Sequence, residues 1–298
     1  MGFLIRPILY TSNSIKYFKK FSFTHSQRRN VFFFYIDPSI GHPGLADRLK
    51  AIVSCFDIAE NNGYDYKLVF KYPFKIEDYL EPNEIDWLAE EQDIDYSIFD
   101  TRIFNYKGKK VCLLRNKQYV CFNYEGSSYL SGESWHKAFN KLFKPSTNLM
   151  AQLNATGFHE KEYVAVHLRF VNALDHFEKG GMPPLTVYDQ EELIRRCKRG
   201  IMSLFEKCNG KEKILVFSDS KRFLNEITDL PVYVLDGSSI GHISYNTSSD
   251  AVMKTFVDFF MISRSREVYR FLAPEMYKTN FSLIAAQSGG AEFYDINI

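Results

Sequence analysis

The chain has 298 residues, enough for two medium domains or one large one. Charged residues make up 24% of it and the formal net charge is +1, so no long-range field for nucleic acid or an anionic membrane is built in. No window is apolar over the roughly 20 residues a membrane span needs, and Arg6 and Pro7 interrupt the stretch where a secretory signal would be apolar.

A cytoplasmic location is therefore expected. Lys16, Lys19 and Lys20 among Tyr17, Phe18 and Phe21 read as a solvated surface helix, or at most as a peripheral contact at the inner face of a membrane. Five cysteines, odd in number and without a CxxC pair, suggest neither a disulfide framework nor a zinc site. Cys55 and Cys197 fall on apolar helix faces and read as core. The 27 Phe and 19 Tyr exceed what core filling usually needs, which fits either biased codon usage or flat rings lining a nucleotide or sugar site.

"VFFFYI" (31–36) predicts a strand, and "GHPGLADRL" leads into a helix with Leu45, Leu49, Ile52, Val53 and Phe56 on one face. "YKLVF" (66–70) follows as a strand. "VCLLRNKQYVCF" (111–122) reads as a hairpin and residues 134–153 as one helix, with a domain boundary in "NATGFHEKE" that gives domains 1–157 and 158–298. Beyond it the pattern alternates regularly. Strands are predicted at 163–169, 213–217, 231–235 and 267–271, and helices at 189–206, 221–227, 249–262 and from Phe281 onward. Strand and helix in alternation with short connections predict a parallel, doubly wound sheet.

Within "VAVHLRF", alternation puts Val164, Val166 and Leu168 on one face and Ala165, His167 and Arg169 on the other. His167 and Arg169 then stand at the carboxyl end of a parallel strand, where open α/β sheets bind ligands. A guanidinium there either pairs with an internal carboxylate or meets an anionic ligand. "FSDS" (217–220) ends the next strand. Ser218, Asp219 and Ser220 serve equally as helix N-caps and as phosphate or ribose contacts. Thr279, Asn280 and Ser282 offer hydroxyls and an amide where the last helix begins, and Asp258 flanks the apolar stripe of its helix.

The ordered set "GHPGLADRLKAIVSCFDIA", "VAVHLRF", "FSDS" and "VDFFMISRSREVYRF…TNFSLIAAQSGG" resembles the GT-B fucosyltransferase superfamily, across most of residues 31–290. That superfamily takes in nodulation, core α-1,6-, α-1,2- and protein O-fucosyltransferases. The resemblance implies two facing Rossmann-like domains, with GDP-fucose held mainly by the C-terminal one and a glycan acceptor in the cleft. It implies that Arg169 binds the donor's β-phosphate, that His167 holds the diphosphate or ribose, and that Ser218 and Asp219 contact the nucleotide. It further implies that Asp258 reads guanine N1 and N2, and that Asn280, Phe281 and Ser282 cap the phosphates. Gly44 would let the first domain's loop approach the donor with Asp47 nearby, although a first-turn acid at Asp47 also suits the helix dipole. Glu178 and Asp175, both in "ALDHFEKGGMPPL", are the candidate general bases for an inverting transfer, and a solvated loop carboxylate is the alternative for each. Many relatives carry a second arginine or an aspartate directly after His-x-Arg, where Phe170, Val171 and Asn172 stand here, so no linkage class follows.

The expected reaction is metal-independent, with no cofactor beyond the donor substrate and no nucleic-acid partner. Three rival readings accompany it. Asp93 and Asp95 in "DID" have the spacing of a metal-dependent transferase, but they follow the polar "LAEEQ" instead of an apolar strand. The others are a GT-B transferase of another nucleotide sugar and a non-catalytic nucleotide-sugar-binding protein. Oligomeric state has no signature in the sequence.

Overall fold

The computed structural model describes residues 17–175, 184–235 and 248–298. The chain divides into two compact units, the first ending at Ser146 and the second running from Thr147 to Ile298.

In the first unit, β1 (Val31–Tyr35) is followed by α1 (Leu45–Asn61) and β2 (Asp65–Val69). β4 (Thr101–Tyr106) and β5 (Gln118–Tyr124) complete a parallel sheet in the order β2-β1-β5-β4. β1 is central, so both of its faces are covered. Phe32, Phe33 and Phe34 are fully buried, each contributing about 1.5–3 kcal/mol by leaving water. Much of the aromatic surplus is core of this kind, with Phe32 packed on Tyr66, Phe104 and Tyr119. All five predicted residues of the α1 stripe are buried.

The expected hairpin at 111–122 is not formed. Residues 107–117 instead run as an irregular crossover, with a bend at 108–109 and a turn at 115–116, that brings β5 parallel to both β1 and β4. They are tethered by Asn62, which accepts from the Leu113 N–H at 2.9 Å, and by Tyr119, whose hydroxyl accepts from the Leu114 N–H at 2.9 Å. In the basic-aromatic segment at 17–21, Phe18, Lys19 and Lys20 are exposed while Tyr17 is buried. The Tyr17 ring stacks on Phe122 at 3.8 Å, is 2% exposed, and its hydroxyl donates to the Asp37 carboxylate.

The single helix expected at 134–153 is two. α2 (Gly132–Leu142) ends where Phe143–Pro145 forms β6, which pairs antiparallel with β3 (Leu80–Pro82), and α3 (Thr147–Ala155) follows. Pro145 has no N–H to continue a helix. α3 packs on the later helix Ser249–Ser263, and the second unit begins with α3, where the sequence placed the boundary at 157/158.

The second unit carries the predicted alternation. β7 (Tyr163–Leu168), α4 (Val187–Lys207), β8 (Lys213–Ser218), α5 (Lys221–Glu226), α6 (Ser249–Ser263), β9 (Glu267–Leu272), α7 (Phe281–Gly289) and β10 (Glu292–Asn297) follow in order. All pairings are parallel, in the order β10-β9-β7-β8. "PVYVL" reaches this sheet only through a bridge from Tyr233 to Leu215, beside β8. Leu193, Ile194, Cys197, Ile201 and Leu204 of α4 pack under the sheet with Val164, Val166 and Leu168. Cys55, Cys121 and Cys197 are buried and all five cysteines are free thiols. Among the described residues, no helix is long and apolar enough to cross a membrane.

The chain passes from β7 to β8 on one side, then returns through α6 to β9 on the other side of β7. The winding therefore reverses between β7 and β9. Sheets of this type take ligands outside the carboxyl ends of the two strands at such a reversal.

Candidate functional site

Three segments meet at this edge: the end of β7, the end of β9, and residues 277–282 leading into α7. The Tyr277 N–H donates to the Arg169 carbonyl at 3.0 Å, and the buried Arg270 guanidinium donates to the Thr279 carbonyl. Arg270 is itself fixed by a bidentate pair with Asp295 of β10, at 2.7 and 2.9 Å. The approach to α7 is thus tied to both central strands. Arg270 was absent from the sequence-derived set, although a cation near the end of a parallel strand is the same signal that marked Arg169. The pair with Arg270 holds the Asp295 carboxyl below its ordinary range.

His167 lies opposite Arg270 in the parallel register, and its ring centroid is 5.8 Å from that of Phe281. It is 6% exposed and its Nδ1 has no hydrogen-bond partner. Ser282, next to Phe281 in the first turn of α7, is fully buried and its Oγ also has no partner. Asn280 occupies the N-cap position without a side-chain cap bond, and the Phe281 N–H is taken by Thr279 Oγ1 at 3.1 Å. A helix start carries amides without intrahelical acceptors and a partial positive charge. Buried polar atoms normally have partners. Two such orphans, His167 Nδ1 and Ser282 Oγ, stand near the start of α7.

Burial, reinforced by the Arg169 and Arg270 charges, pushes His167 down to about 3. An exposed imidazole titrates near 6.5, so below that value the unfolded chain binds a proton that the folded chain does not. Stability should fall as the pH drops from about 6.5 towards about 3, by about 2 kcal/mol between about pH 7 and about pH 5. His167→Asn should remove that portion of the decline, read as the change in urea midpoint between the two pH values. An identical pH slope in both proteins would show that the imidazole is not held neutral.

Arg169 is half-buried, with 17% of its side chain exposed, and its Nε lies 3.3 Å from Asp219 Oδ2. The internal carboxylate required by the ion-pair reading is therefore present. Asp219 was expected against the nucleotide. Its buried carboxylate is committed inward, accepting the Phe170 N–H at 2.7 Å and the Val171 N–H at 2.8 Å.

Ser218 ends β8 level with Leu168, and its Oγ accepts the Ser220 N–H at 3.1 Å. Ser220 caps α5 and donates to Asp175 Oδ2 at 2.6 Å, so this candidate base is held by a hydroxyl. Glu178 lies outside the described residues. Asp258 is half-buried and accepts from Lys254 one helical turn earlier; burial raises its carboxyl against the lowering effect of that lysine. The i, i+4 spacing of the pair was visible in the sequence.

Gly44 and Asp47 belong to the first unit. Gly44 precedes α1 at φ −61, open to any residue, and no protein atom lies within 4 Å of where a Cβ would stand. The chain's own packing does not require glycine there. Asp47 pairs with Lys50 at 2.6 Å, and Gly126 lies so close that a Cβ there would stand 2.5 Å from Asp47 Cβ. Asp93 of the "DID" run closes a capping box with Glu90 and pairs with Arg28 at 3.0 Å, while Asp95 accepts from the Gln27 N–H.

No protein-family model matches the chain, and no curated protein matches it in sequence. Solved structures do match. The α-1,6-fucosyltransferase NodZ soaked with GDP-fucose is similar with a TM-score of 0.56 at 13% identity, over 86% of this chain and 92% of that one. NodZ from Bradyrhizobium gives a TM-score of 0.56 at 13% identity, over 87% and 92%. POFUT1 in complex with GDP gives 0.49 at 13% identity, over 91% and 99%. The likeness to NodZ carries the fold, an α/β architecture of GT-B type.

Proposed function

We propose that the protein is a fucosyltransferase, transferring L-fucose from GDP-fucose to a hydroxyl of a glycan acceptor with inversion, without a metal ion, in the cytoplasm. The observation that carries this reading is the pair of orphaned buried atoms, His167 Nδ1 and Ser282 Oγ, where the sheet winding reverses and α7 begins. A diphosphate suits all the parts: the α7 amides, the Ser282 hydroxyl and the Arg169 guanidinium complement its charge. The likeness in fold to a transferase soaked with GDP-fucose supports that donor class.

In this reading Arg169 stabilises the charge that develops on GDP as the glycosidic bond breaks. Neutral His167 donates or accepts a single hydrogen bond to the diphosphate or ribose. Asn280, Phe281 and Ser282 present the helix start, and Ser218 borders the nucleotide from β8. Asp258 accepts from guanine N1 and N2 while Lys254 balances its charge. Asp175 or Glu178 takes the proton of the acceptor hydroxyl.

Calorimetric titration with GDP, GDP-fucose, GDP-mannose and UDP tests the donor assignment. GDP should bind at least tenfold more tightly than UDP, and Asp258→Ala should shrink that ratio to about threefold or less, since one good bidentate base contact is worth about 1–3 kcal/mol. Equal affinity for GDP and UDP in the parent chain would remove Asp258 as a base reader. Fucose transfer that persists in chelator would support the metal-independent reaction. GDP-fucose binding without turnover on any glycan would leave a nucleotide-sugar-binding protein.

A further inference from the structure

The turn after β7 is built against its own preferences. Val171 sits at φ +53, in the left-handed region, where a β-branched side chain is a genuine outlier. Strained backbone persists only where its surroundings over-determine it, and such positions gather at functional sites. Here the Arg169 and Phe170 carbonyls accept from the Tyr277 and Ala173 N–H groups, both at 3.0 Å, and the amides of the turn are held by one carboxylate. Asp219 Oδ1 accepts from Phe170 N, Oδ2 accepts from Val171 N, and the same Oδ2 faces Nε of Arg169 at 3.3 Å. The Phe170 ring, 5.0 Å from that of Phe223, pins the turn to the core.

Capping two amides needs only a neutral acceptor. An acid with 4% of its side chain exposed is costly for that task alone, and its charge is used only through the guanidinium it also holds. We infer that Asp219 is a positioning residue: it forces the 169–171 turn into its strained form and thereby sets the Arg169 guanidinium before ligand arrives. This rests on the reading of Arg169 as the partner of a diphosphate. Pre-ordering the side chain removes the rotamer entropy that binding would otherwise cost.

The test is a double-mutant cycle on the full chain, with GDP affinity measured by calorimetry and, for weak variants, by titration to millimolar GDP. Asp219→Asn should lower GDP affinity at least tenfold in the parent chain and by less than twofold in an Arg169→Ala background, because the aspartate acts through the arginine. Val171→Gly added to Asp219→Asn should recover at least a third of the logarithmic loss, since glycine adopts the left-handed turn without a clamp. Should Asp219→Asn fail to fold, the Asp219→Asn/Val171→Gly chain takes its place in the cycle. Parent-like GDP affinity in Asp219→Asn, or equal losses in both backgrounds, overturns the proposal. A parent chain that binds no GDP overturns the donor reading itself, and the inference with it.

Discussion

Arg169→Ala should weaken GDP binding by about a hundredfold, close to 3 kcal/mol, the worth of one or two charge-assisted hydrogen bonds in a half-buried site. Arg270 cannot replace it, being bound bidentately to Asp295 and donating to the Thr279 carbonyl. Arg169→Lys should restore only part of the loss, because an ammonium offers a point charge and not a planar fork. The fold should survive, since Asp219 keeps the Phe170 and Val171 amides as partners. Calorimetry with GDP and circular dichroism on the same samples separate the two effects. An alanine variant that binds GDP within threefold of the parent would end the assignment of this guanidinium to the donor.

Gly289→Ala should be the most damaging single methyl among the described glycines of the second unit. A Cβ at that position would stand 1.8 Å from the Ser263 carbonyl oxygen and 2.5 Å from its carbon, so backbone must move. The end of α7 rests directly on the end of α6, and Lys161 Nζ bonds the Gly289 carbonyl at 3.1 Å. Gly290 follows at φ +63, turning the chain into β10. Forcing these helices apart should cost about 3 kcal/mol or more, seen as a fall in melting temperature of roughly 6–12 °C. A melting temperature within about 2 °C of the parent would show that α6 and α7 are not locked at this contact. A lesser loss of GDP affinity should accompany the change, because the same helix presents Ser282 at its other end.

What the sequence discloses is largely what alternation and helical periodicity can encode. The β7 faces, the α1 and α4 stripes and the start of α7 at Phe281 follow from side-chain spacing, and with them the edge where His167, Arg169 and Ser282 stand. Pairing between distant segments is different. "VCLLRNKQYVCF" has the apolar content of a hairpin, but β5 is bonded to β1 and β4, partners that no local pattern names. β10 escaped because exposed Glu292 and Asp295 dilute its alternation on an edge strand. Asp219 was located correctly at the end of β8, while its direction was hidden: the amides it satisfies belong to a turn 48 residues earlier.

The way Tyr17 is seated bears on how the protein can be trimmed or tagged. Its ring completes a layer between Tyr96 and Phe122, and its hydroxyl rests on a carboxylate just past the end of β1. Tyr17 thus acts as a plug, packed against the core around Phe33, Val120 and Phe122. Shortening the chain past this tyrosine would open a hole lined by aromatic rings and admit water to Asp37.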